Sequence, residues 1–302
     1  METFTMPGPS EHSLRIGLLA KHASRDPLVA VEVPFAAMLD LCERLLNVKR
    51  GSKIRTDEGW KSDAQILGVK FTKHLLSLQA INARTGGLGR YAHIDHSSMK
   101  VIARAAVETF WVFAYIFRAP TAEMRLYRHT AWRLGGYCER QRHRPLDPVL
   151  QEQQAAEAKV IAMLQAQLQQ MPEYLALDSK SRAKVAKGEW REPDGWKKMA
   201  NGAGFSNGYY ARVYGYLCSY AHSSYLSILQ LNDARDLSDQ RKLSDTVLQI
   251  CTFTMARFID EYVSLFPETR AVMLANPSLA RFARTWNFDL QLLEAHFPAN
   301  KS

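Results

Sequence analysis

Apolar residues recur at helical spacing, every three or four positions, along almost the whole chain. Because no series of alternating apolar and polar residues bounded by turn signals occurs, the pattern does not predict a sheet. Prolines at positions 120, 145 and 172 and glycine-rich stretches at 86–89 and 202–208 separate the helical patterns. The predicted helices cover Asp26–Val48, Ser62–Ala83, Ser97–Arg118, Thr121–Arg140, Pro148–Gln170, Tyr209–Gln230, Ser238–Leu265 and Pro277–His296.

This pattern predicts an all-α fold, a multi-helix bundle. The segment Asp178–Phe205 mixes Lys, Arg, Gly and two Trp without sustained periodicity, which indicates a loop-rich excursion between the central helices. With 302 residues and 47% apolar content the chain can bury one large core, so we expect a single helical domain over residues 1–302. Within it we expect an N-terminal helical part at 1–94, a central core at 95–235 and C-terminal helices at 236–302.

A narrow polar stripe follows the predicted helix Ser97–Arg118. At about 100° per residue, Glu108, Trp111 and Tyr115 fall close to Arg104, and the rest of the circumference is apolar. Burial of an unpaired charge is costly, so the stripe faces either water or a groove that it lines. A solvent-facing ion pair between Arg104 and Glu108 explains the pattern as well as a functional site does. We take Arg104 and Glu108 as candidate catalytic residues, and Trp111 and Tyr115 as candidate binding residues.

Basic and aromatic side chains also share one face of the predicted helix Thr121–Arg140. Guanidinium groups bind phosphate in a bidentate manner and an indole ring stacks on a base, so this face suits RNA. A solvated amphipathic face is the alternative. The candidate binding residues here are Arg125, His129, Trp132, Arg133 and Arg140.

The stretch Asn207–Tyr225 contains six tyrosines and one histidine, His222, on what the pattern predicts to be a single helix. His222 lies at the border between its apolar and polar faces, where packing can position the imidazole while substrate still reaches it. Its titration range suits general acid or base work, so His222 is a candidate catalytic residue, although a hydrogen-bonded histidine at the core edge fits as well. Tyr214 and Ser219 are candidate binding residues, and tyrosines also serve as core and interface anchors.

Composition indicates which binding partners and which cellular compartment to expect. The formal net charge of +9 favours an anionic partner such as RNA. Four widely separated cysteines with no CxxC pair indicate reduced thiols, and the N-terminus lacks the features of a signal peptide, so we expect a cytoplasmic protein. The most apolar run, Ala105–Phe117, is too short to span a bilayer, so we expect no membrane role. No nucleotide-binding, dinucleotide-binding or zinc-peptidase motif occurs, and we predict neither a cofactor nor a metal.

Several short motifs carry a family resemblance: Trp196–Ala200, Gly204 with Phe205, Tyr210, Tyr214, Cys218, Ser219 and Ala221–Ser224, with Arg104–Glu108 upstream. Over residues 95–235 these motifs resemble an uncharacterised bacterial all-helical family that has a Trp, a short helix, a Gly and then a Tyr-rich helix that ends in a Ser-x-x-His-like signature. The resemblance implies an all-helical fold and no particular activity.

A more distant resemblance is to HEPN-type helical domains, many of which are metal-independent RNases of toxin and phage-defence systems. Their signature is an Arg, then four to six intervening residues, and then a His. Here Arg212 and His222 are ten positions apart, about 15 Å along a straight helix, which is longer than that spacing.

Two functions remain open from the sequence. The first is a helical interaction or sensor protein that binds an anionic partner through a basic face or forms a homodimer. The alternative is a metal-independent RNase-like effector of a stress or phage-defence system, in which His222 transfers the proton, Arg104 stabilises the phosphorane and Glu108 orients Arg104 or His222. The environment of His222 distinguishes the two.

Overall fold

Helices make up nearly all of the described structure, and the all-α prediction is confirmed. The computed structural model describes residues 31–51, 58–84, 86–88, 91–191, 193 and 195–288. The chain divides into two compact units, of which the first comprises Met1–Phe110 and Gly204–Ser302 and the second comprises Trp111–Ala203. The predicted organisation into one domain with three parts stays a prediction.

The first unit contains a short hairpin and most of the helices. Its β1 and β2 pair antiparallel, with Gly86 opposite His93, at the glycine-rich break that the sequence predicts between two helices. The elements are α1 (Glu32–Val48), α2 (Gly59–Asn82), β1 (Gly86–Leu88), β2 (Tyr91–His93), the start of α3 (His96–Phe117), α9 (Asn207–Tyr209), a π-helical segment (Tyr210–Tyr214), α10 (Gly215–Ala221), α11 (Tyr225–Asp233), α12 (Leu237–Leu265), a 3₁₀ turn (Pro267–Thr269), α13 (Arg270–Ala275) and α14 (Pro277–Trp286).

The core of the first unit forms around α12, which packs against α1 and α14. Apolar side chains at helical spacing on α1, among them Phe35, Met38 and Cys42, are fully buried. An aromatic cluster joins these elements to the first half of α3, because the ring of Phe258 lies 4.6 Å from that of Phe71 and 6.4 Å from that of Phe110. This cluster holds the N-terminal half of α3 in the unit that also contains His222.

The second unit consists of the end of α3 and five further helices. Side chains at the N-termini cap three of them: Thr121, Asp147 and Asp178 each accept a hydrogen bond from a backbone amide of the first turn. Its core contains Tyr127, Ala131, Leu134, Leu164, Leu168, Tyr174 and Val185. The elements are α4 (Ala122–Arg142), α5 (Pro148–Leu168), α6 (Pro172–Leu175), α7 (Ser179–Ala186) and α8 (Gly195–Gly202).

The segment Asp178–Phe205 is more regular than predicted, because it contains the eight-residue helices α7 and α8. Helices this short show too few turns for their apolar period to stand out in the sequence. The glycine pair in α4 does not interrupt the helix. A Cβ at Gly135 would lie 2.5 Å from Cδ1 of Trp190, so this glycine allows the segment after α7 to approach the α4 backbone closely.

The prediction of a single helix over Tyr209–Gln230 is wrong. The chain forms the π-helical segment Tyr210–Tyr214, then α10, and it breaks at His222 before α11 begins at Tyr225. Ser223 adopts a φ of 50°, in the left-handed region that ends helices. Neither the extra residue of a π turn nor a left-handed serine disturbs apolar spacing enough for the sequence to reveal it. The last predicted helix ends at Trp286, and its residues from 289 onward lie outside the described residues.

Candidate functional site

The first half of α3 carries polar side chains at every fourth position: His96, Lys100, Arg104 and Glu108. Positions four apart lie on the same face of a helix, so the four side chains form one row. The tyrosine-rich segment from the π turn to α10 contacts this row along its length, and the contacts below define the candidate site.

Arg104 connects the two elements. Its Nε donates to Oε1 of Glu108 over 2.8 Å, and its Nη1 lies 3.2 Å from Nε2 of His222, a residue 118 positions away in sequence. Because a guanidinium group has donors only, Nε2 is the acceptor in this contact. Burial alone would lower the pKa of Arg104, but the hydrogen bond and the charge of Glu108 outweigh this effect and raise it.

Tyr214 completes the group, which we call the Arg–His site: Arg104, Glu108, Tyr214 and His222. Its hydroxyl donates to the same Oε1 of Glu108 over 2.8 Å, and the Arg104 guanidinium lies 5.6 Å from its ring. Burial and this hydrogen bond raise the pKa of Tyr214, so the phenol stays protonated and remains a donor. The ring stacks on that of Tyr210 with centroids 5.0 Å apart, at the two ends of the π segment.

His222 is the exposed member of the Arg–His site. It is the C-cap residue of α10, and its backbone amide donates to the carbonyl oxygen of Cys218. The helix end therefore fixes the backbone, while the imidazole projects into solvent beside Arg104. The predicted catalytic residues Arg104, Glu108 and His222 thus lie together in the structure, and their catalytic role stays a prediction.

A second group lies one turn earlier on α3, where Lys100 is fully buried. Its Nζ is 3.1 Å from Nδ1 of His96, 3.8 Å from the centroid of the Tyr220 ring and 5.1 Å from that of Tyr216. Burial lowers the pKa of Lys100 to about 7, and burial together with the Lys100 charge lowers the pKa of His96 to about 4. Sequence patterns alone did not reveal this Lys100 cluster, although the i,i+4 spacing of His96, Lys100 and Arg104 is a signal for it.

Three predicted binding residues make contacts within their own unit, and their role in binding stays a prediction. The hydroxyl of Ser219 donates to the carbonyl oxygen of Tyr216, within its own helix. Trp111 and Tyr115, in the second unit, are 1% and 7% exposed. The ring of Trp111 lies 6.3 Å from that of Trp196, so the polar stripe predicted on α3 ends at Glu108.

The basic face predicted on α4 belongs to the second unit, and only part of it is open to solvent. His129 is buried between the rings of Phe117 and Trp132, both about 6 Å away. Arg140 donates to Glu157 over 2.7 Å. Arg125, Trp132 and Arg133 are half-buried and Arg140 is exposed, and the role of this face in binding stays a prediction.

Neither a metal centre nor a membrane span is found in the described part of the chain. Its His, Cys, Asp and Glu residues form no cluster of three or more with metal-binding geometry. The described helices include none that combines the length and the apolar character needed to cross a bilayer. The four cysteines are free thiols, and two of them, Cys42 and Cys251, are buried.

A protein-family model described as a family of unknown function (DUF5677) matches residues 68–241, which is more than half of the chain. The chain belongs to the DUF5677 family. The predicted resemblance to an uncharacterised helical family over 95–235 falls within this range. No curated protein and no solved structure matches the chain. The DUF5677 region contains the whole Arg–His site and the Lys100 cluster.

Proposed function

We propose that this DUF5677 protein is an RNA-cleaving effector, in which His222 and Arg104 act together on a phosphodiester. The observation that carries the proposal is the 3.2 Å contact between Arg104 Nη1 and an exposed His222 Nε2. A proton-transferring group and a fixed cation side by side are what phosphoryl chemistry on RNA needs. The likeness to HEPN-type RNases belongs to this proposal, with Arg104 in the place that sequence spacing would give to Arg212.

The reaction follows from these positions. His222 Nε2 removes the proton from a ribose 2′-hydroxyl, and the 2′-oxygen attacks the adjacent phosphorus. Arg104 exchanges its hydrogen bond to His222 for one to a phosphoryl oxygen, and it stabilises the charge that develops there. The bond to the 5′-oxygen breaks, and this oxygen takes a proton from the imidazolium or from water. The products are a 2′,3′-cyclic phosphate and a 5′-hydroxyl.

Glu108 and Tyr214 are positioning residues in this scheme. Oε1 of Glu108 accepts from both Arg104 and Tyr214, so the carboxylate holds the guanidinium through Nε while Nη1 contacts His222. Neither residue contacts the phosphate in this scheme. Both contribute to catalysis by keeping Arg104 in the orientation that the reaction needs. The formal net charge of +9 favours the association with RNA.

The test is cleavage of single-stranded RNA by the purified full chain in EDTA at two salt concentrations. We expect His222→Ala to lower the rate by about a hundredfold or more, because general acid–base catalysis contributes about 10²–10⁴-fold. His143→Ala is the matched control, since His143 is also exposed but lies in the second unit. A substrate with a single 2′-deoxy sugar at the cleaved position should resist. Cleavage that persists in folded His222→Ala, or that also occurs at the 2′-deoxy position, would refute the proposal.

A non-enzymatic interaction protein is the second candidate, favoured by the surface of α11. The stretch Tyr225–Leu231 contains no charged residue, and depletion of charge is the compositional mark of an interface core. Its occupant would be a second copy of the chain, because an antiparallel pair of such helices brings the same apolar side chains into contact. The exposed residues are Tyr225 (74%), Leu226 (45%), Ile228 (51%), Leu229 (43%) and Leu231 (48%).

Sedimentation of the wild type and of Ile228→Asp distinguishes this candidate. A dimer that dissociates in Ile228→Asp, combined with the absence of RNA cleavage, would favour the interaction protein. Leu274→Asp is the control, because Leu274 is 82% exposed but lies on α13.

A further inference from the structure

A cavity of about 510 Å³ lies in the first unit, and residues from Tyr209 to Tyr216 form one of its walls. This volume falls within the range of about 300–1,000 Å³ that small-molecule sites occupy. The cavity is distinct from the Arg–His site, since Arg104, Glu108, Tyr214 and His222 do not line it. Apolar side chains form most of its surface: Val213, Leu243, Ile250, Phe253, Trp286 and Phe288.

The wall is built from rings that pack on one another. Phe253 lies 5.5 Å from Tyr209 and 4.7 Å from Phe288, measured between ring centroids. Tyr209 also contacts Phe205, 5.2 Å away, so the aromatic wall continues into the core of the unit. Rings that are fixed in this way give a largely preformed apolar surface.

Few of the described residues that line the cavity are polar, and those that carry a charge are positive. Arg212, on the π segment, is the only charged side chain among the described residues that line the cavity. Gln230, Thr246 and Gln249 add hydrogen-bonding groups, and the lining contains no carboxylate in the described part of the chain. An apolar chamber with one guanidinium group is complementary to an apolar molecule with one anionic end.

We propose that this cavity binds a small amphipathic carboxylate, with the hydrocarbon or aromatic body against Phe253 and Trp286 and the carboxylate paired with Arg212. The ligand class follows from the lining alone and does not depend on the RNA-cleaving activity. Arg212 is exposed, so it meets the carboxylate at the mouth of the cavity and desolvation of the charged group stays small.

The test is displacement of the fluorescent dye 8-anilinonaphthalene-1-sulfonate from the full chain by octanoate and by octanamide, a neutral molecule of the same length. Octanoate should displace the dye at a concentration at least about tenfold lower than octanamide, because a charge-assisted pair with Arg212 adds to the apolar contact. Arg212→Gln should abolish this preference and leave the displacement by octanamide unchanged. Arg235→Gln is the matched control, since Arg235 is exposed on the same unit but does not line the cavity.

A second variant tests the location. Thr246 is exposed and lines the cavity, so Thr246→Trp fills the space without disturbing the core, and both compounds should lose affinity. Leu229→Ser, on α11, should leave displacement as in the wild type. An unaltered octanoate preference in Arg212→Gln, or wild-type displacement in Thr246→Trp, would overturn the proposal. So would displacement that Leu229→Ser abolishes, because the probes would then occupy the α11 surface.

Discussion

The hydroxyl of Tyr214 donates a hydrogen bond to Oε1 of Glu108, over 2.8 Å and 106 positions of sequence. This contact joins the π segment to α3, and it shares its acceptor oxygen with Arg104. The carboxylate thus coordinates two donors from different elements, and only one of them, the i,i+4 partner, is visible in the sequence.

Tyr214→Phe removes this hydroxyl and keeps the ring that stacks on Tyr210. We expect the free energy of unfolding in urea to fall by about 1–2 kcal/mol, because a hydrogen bond to a charged group is lost. Tyr225→Phe is the control, since its side chain is 74% exposed, and it should change stability by less than about 0.5 kcal/mol. Equal unfolding midpoints for Tyr214→Phe and wild type would contradict this role.

Glu108→Gln keeps an acceptor for Tyr214 but removes the charge that orients Arg104. If the chain cleaves RNA as proposed, the rate should fall by about tenfold to a hundredfold, because a small misplacement of a catalytic group has effects of that size. The measurement is the cleavage rate at saturating RNA, and RNA binding should change little. A rate equal to the wild type would mean that Arg104 needs no partner.

The Lys100 cluster predicts a dependence of stability on pH. The folded pKa of about 7 lies below the ordinary value of 10.5, so between them the unfolded chain binds a proton that the folded chain does not. The contribution of Lys100 to stability therefore rises from about pH 7 to about pH 10.5, and it declines as the pH falls through this window. The neighbours His96, Tyr216 and Tyr220 stay neutral there, because burial lowers the pKa of the imidazole and raises the pKa of both phenols.

Lys100→Met tests this dependence. The variant should be less sensitive to pH than the wild type over the same window, as measured by urea unfolding at several pH values. Lys242→Met provides the control, because Lys242 is exposed and should leave the pH dependence as it is. Parallel curves for the wild type and Lys100→Met would show that Lys100 stays charged in its aromatic surroundings.

Gly204 adopts a φ of 81°, and a Cβ there would lie 2.2 Å from Nη1 of Arg257. Arg257 is held in place by its donation to the carbonyl oxygen of Phe288 over 2.9 Å. Gly204→Ala should lower the free energy of unfolding by about 1–3 kcal/mol through backbone strain and this contact. Gly202→Ala is the matched control, since no atom lies within 4 Å of its Cβ position, and it should not lower the midpoint of thermal unfolding.

Ser223 has a φ of 50° directly after His222. Ser223→Gly removes the strain of that conformation and should keep or slightly raise the melting temperature, whereas Ser223→Val should lower stability by about 1–2 kcal/mol, because β-branched residues tolerate this region poorly. Calorimetry of the two variants and the wild type measures these differences in melting temperature. A valine variant as stable as the wild type would mean that the turn relaxes to another conformation.

Sequence patterns predicted the helices well where the apolar period persists over several turns. Helix α3 begins and ends within one residue of the predicted positions, and its Arg104–Glu108 pair has the expected i,i+4 geometry. Burial was harder to predict. Trp111 and Tyr115 continue the polar stripe by angle, yet both are buried, since aromatic rings with one polar atom suit either environment.

Contacts between residues far apart in sequence could not be predicted from the spacing of apolar residues. The contact between Arg104 and His222 depends on where α10 ends, and that end is set by a left-handed serine and a preceding π turn. Lys100 was not identified as buried, because lysine is almost never found fully buried. Its ammonium group contacts the rings of Tyr216 and Tyr220 and Nδ1 of His96, and none of these contacts follows from apolar periodicity.

The π segment Tyr210–Tyr214 contributes side chains both to the cavity and to the Arg–His site. Arg212 and Val213 line the cavity, while Tyr214 binds the carboxylate that holds Arg104. A π turn contains one more residue per hydrogen-bonded loop than an α turn, so the side chains of the segment point in different directions in the two forms. A ligand that binds one form more tightly than the other therefore changes these directions. Coupling between two binding sites is reciprocal. If a cavity ligand changes the affinity of the protein for an anion beside His222 by some factor, that anion changes the affinity for the cavity ligand by the same factor.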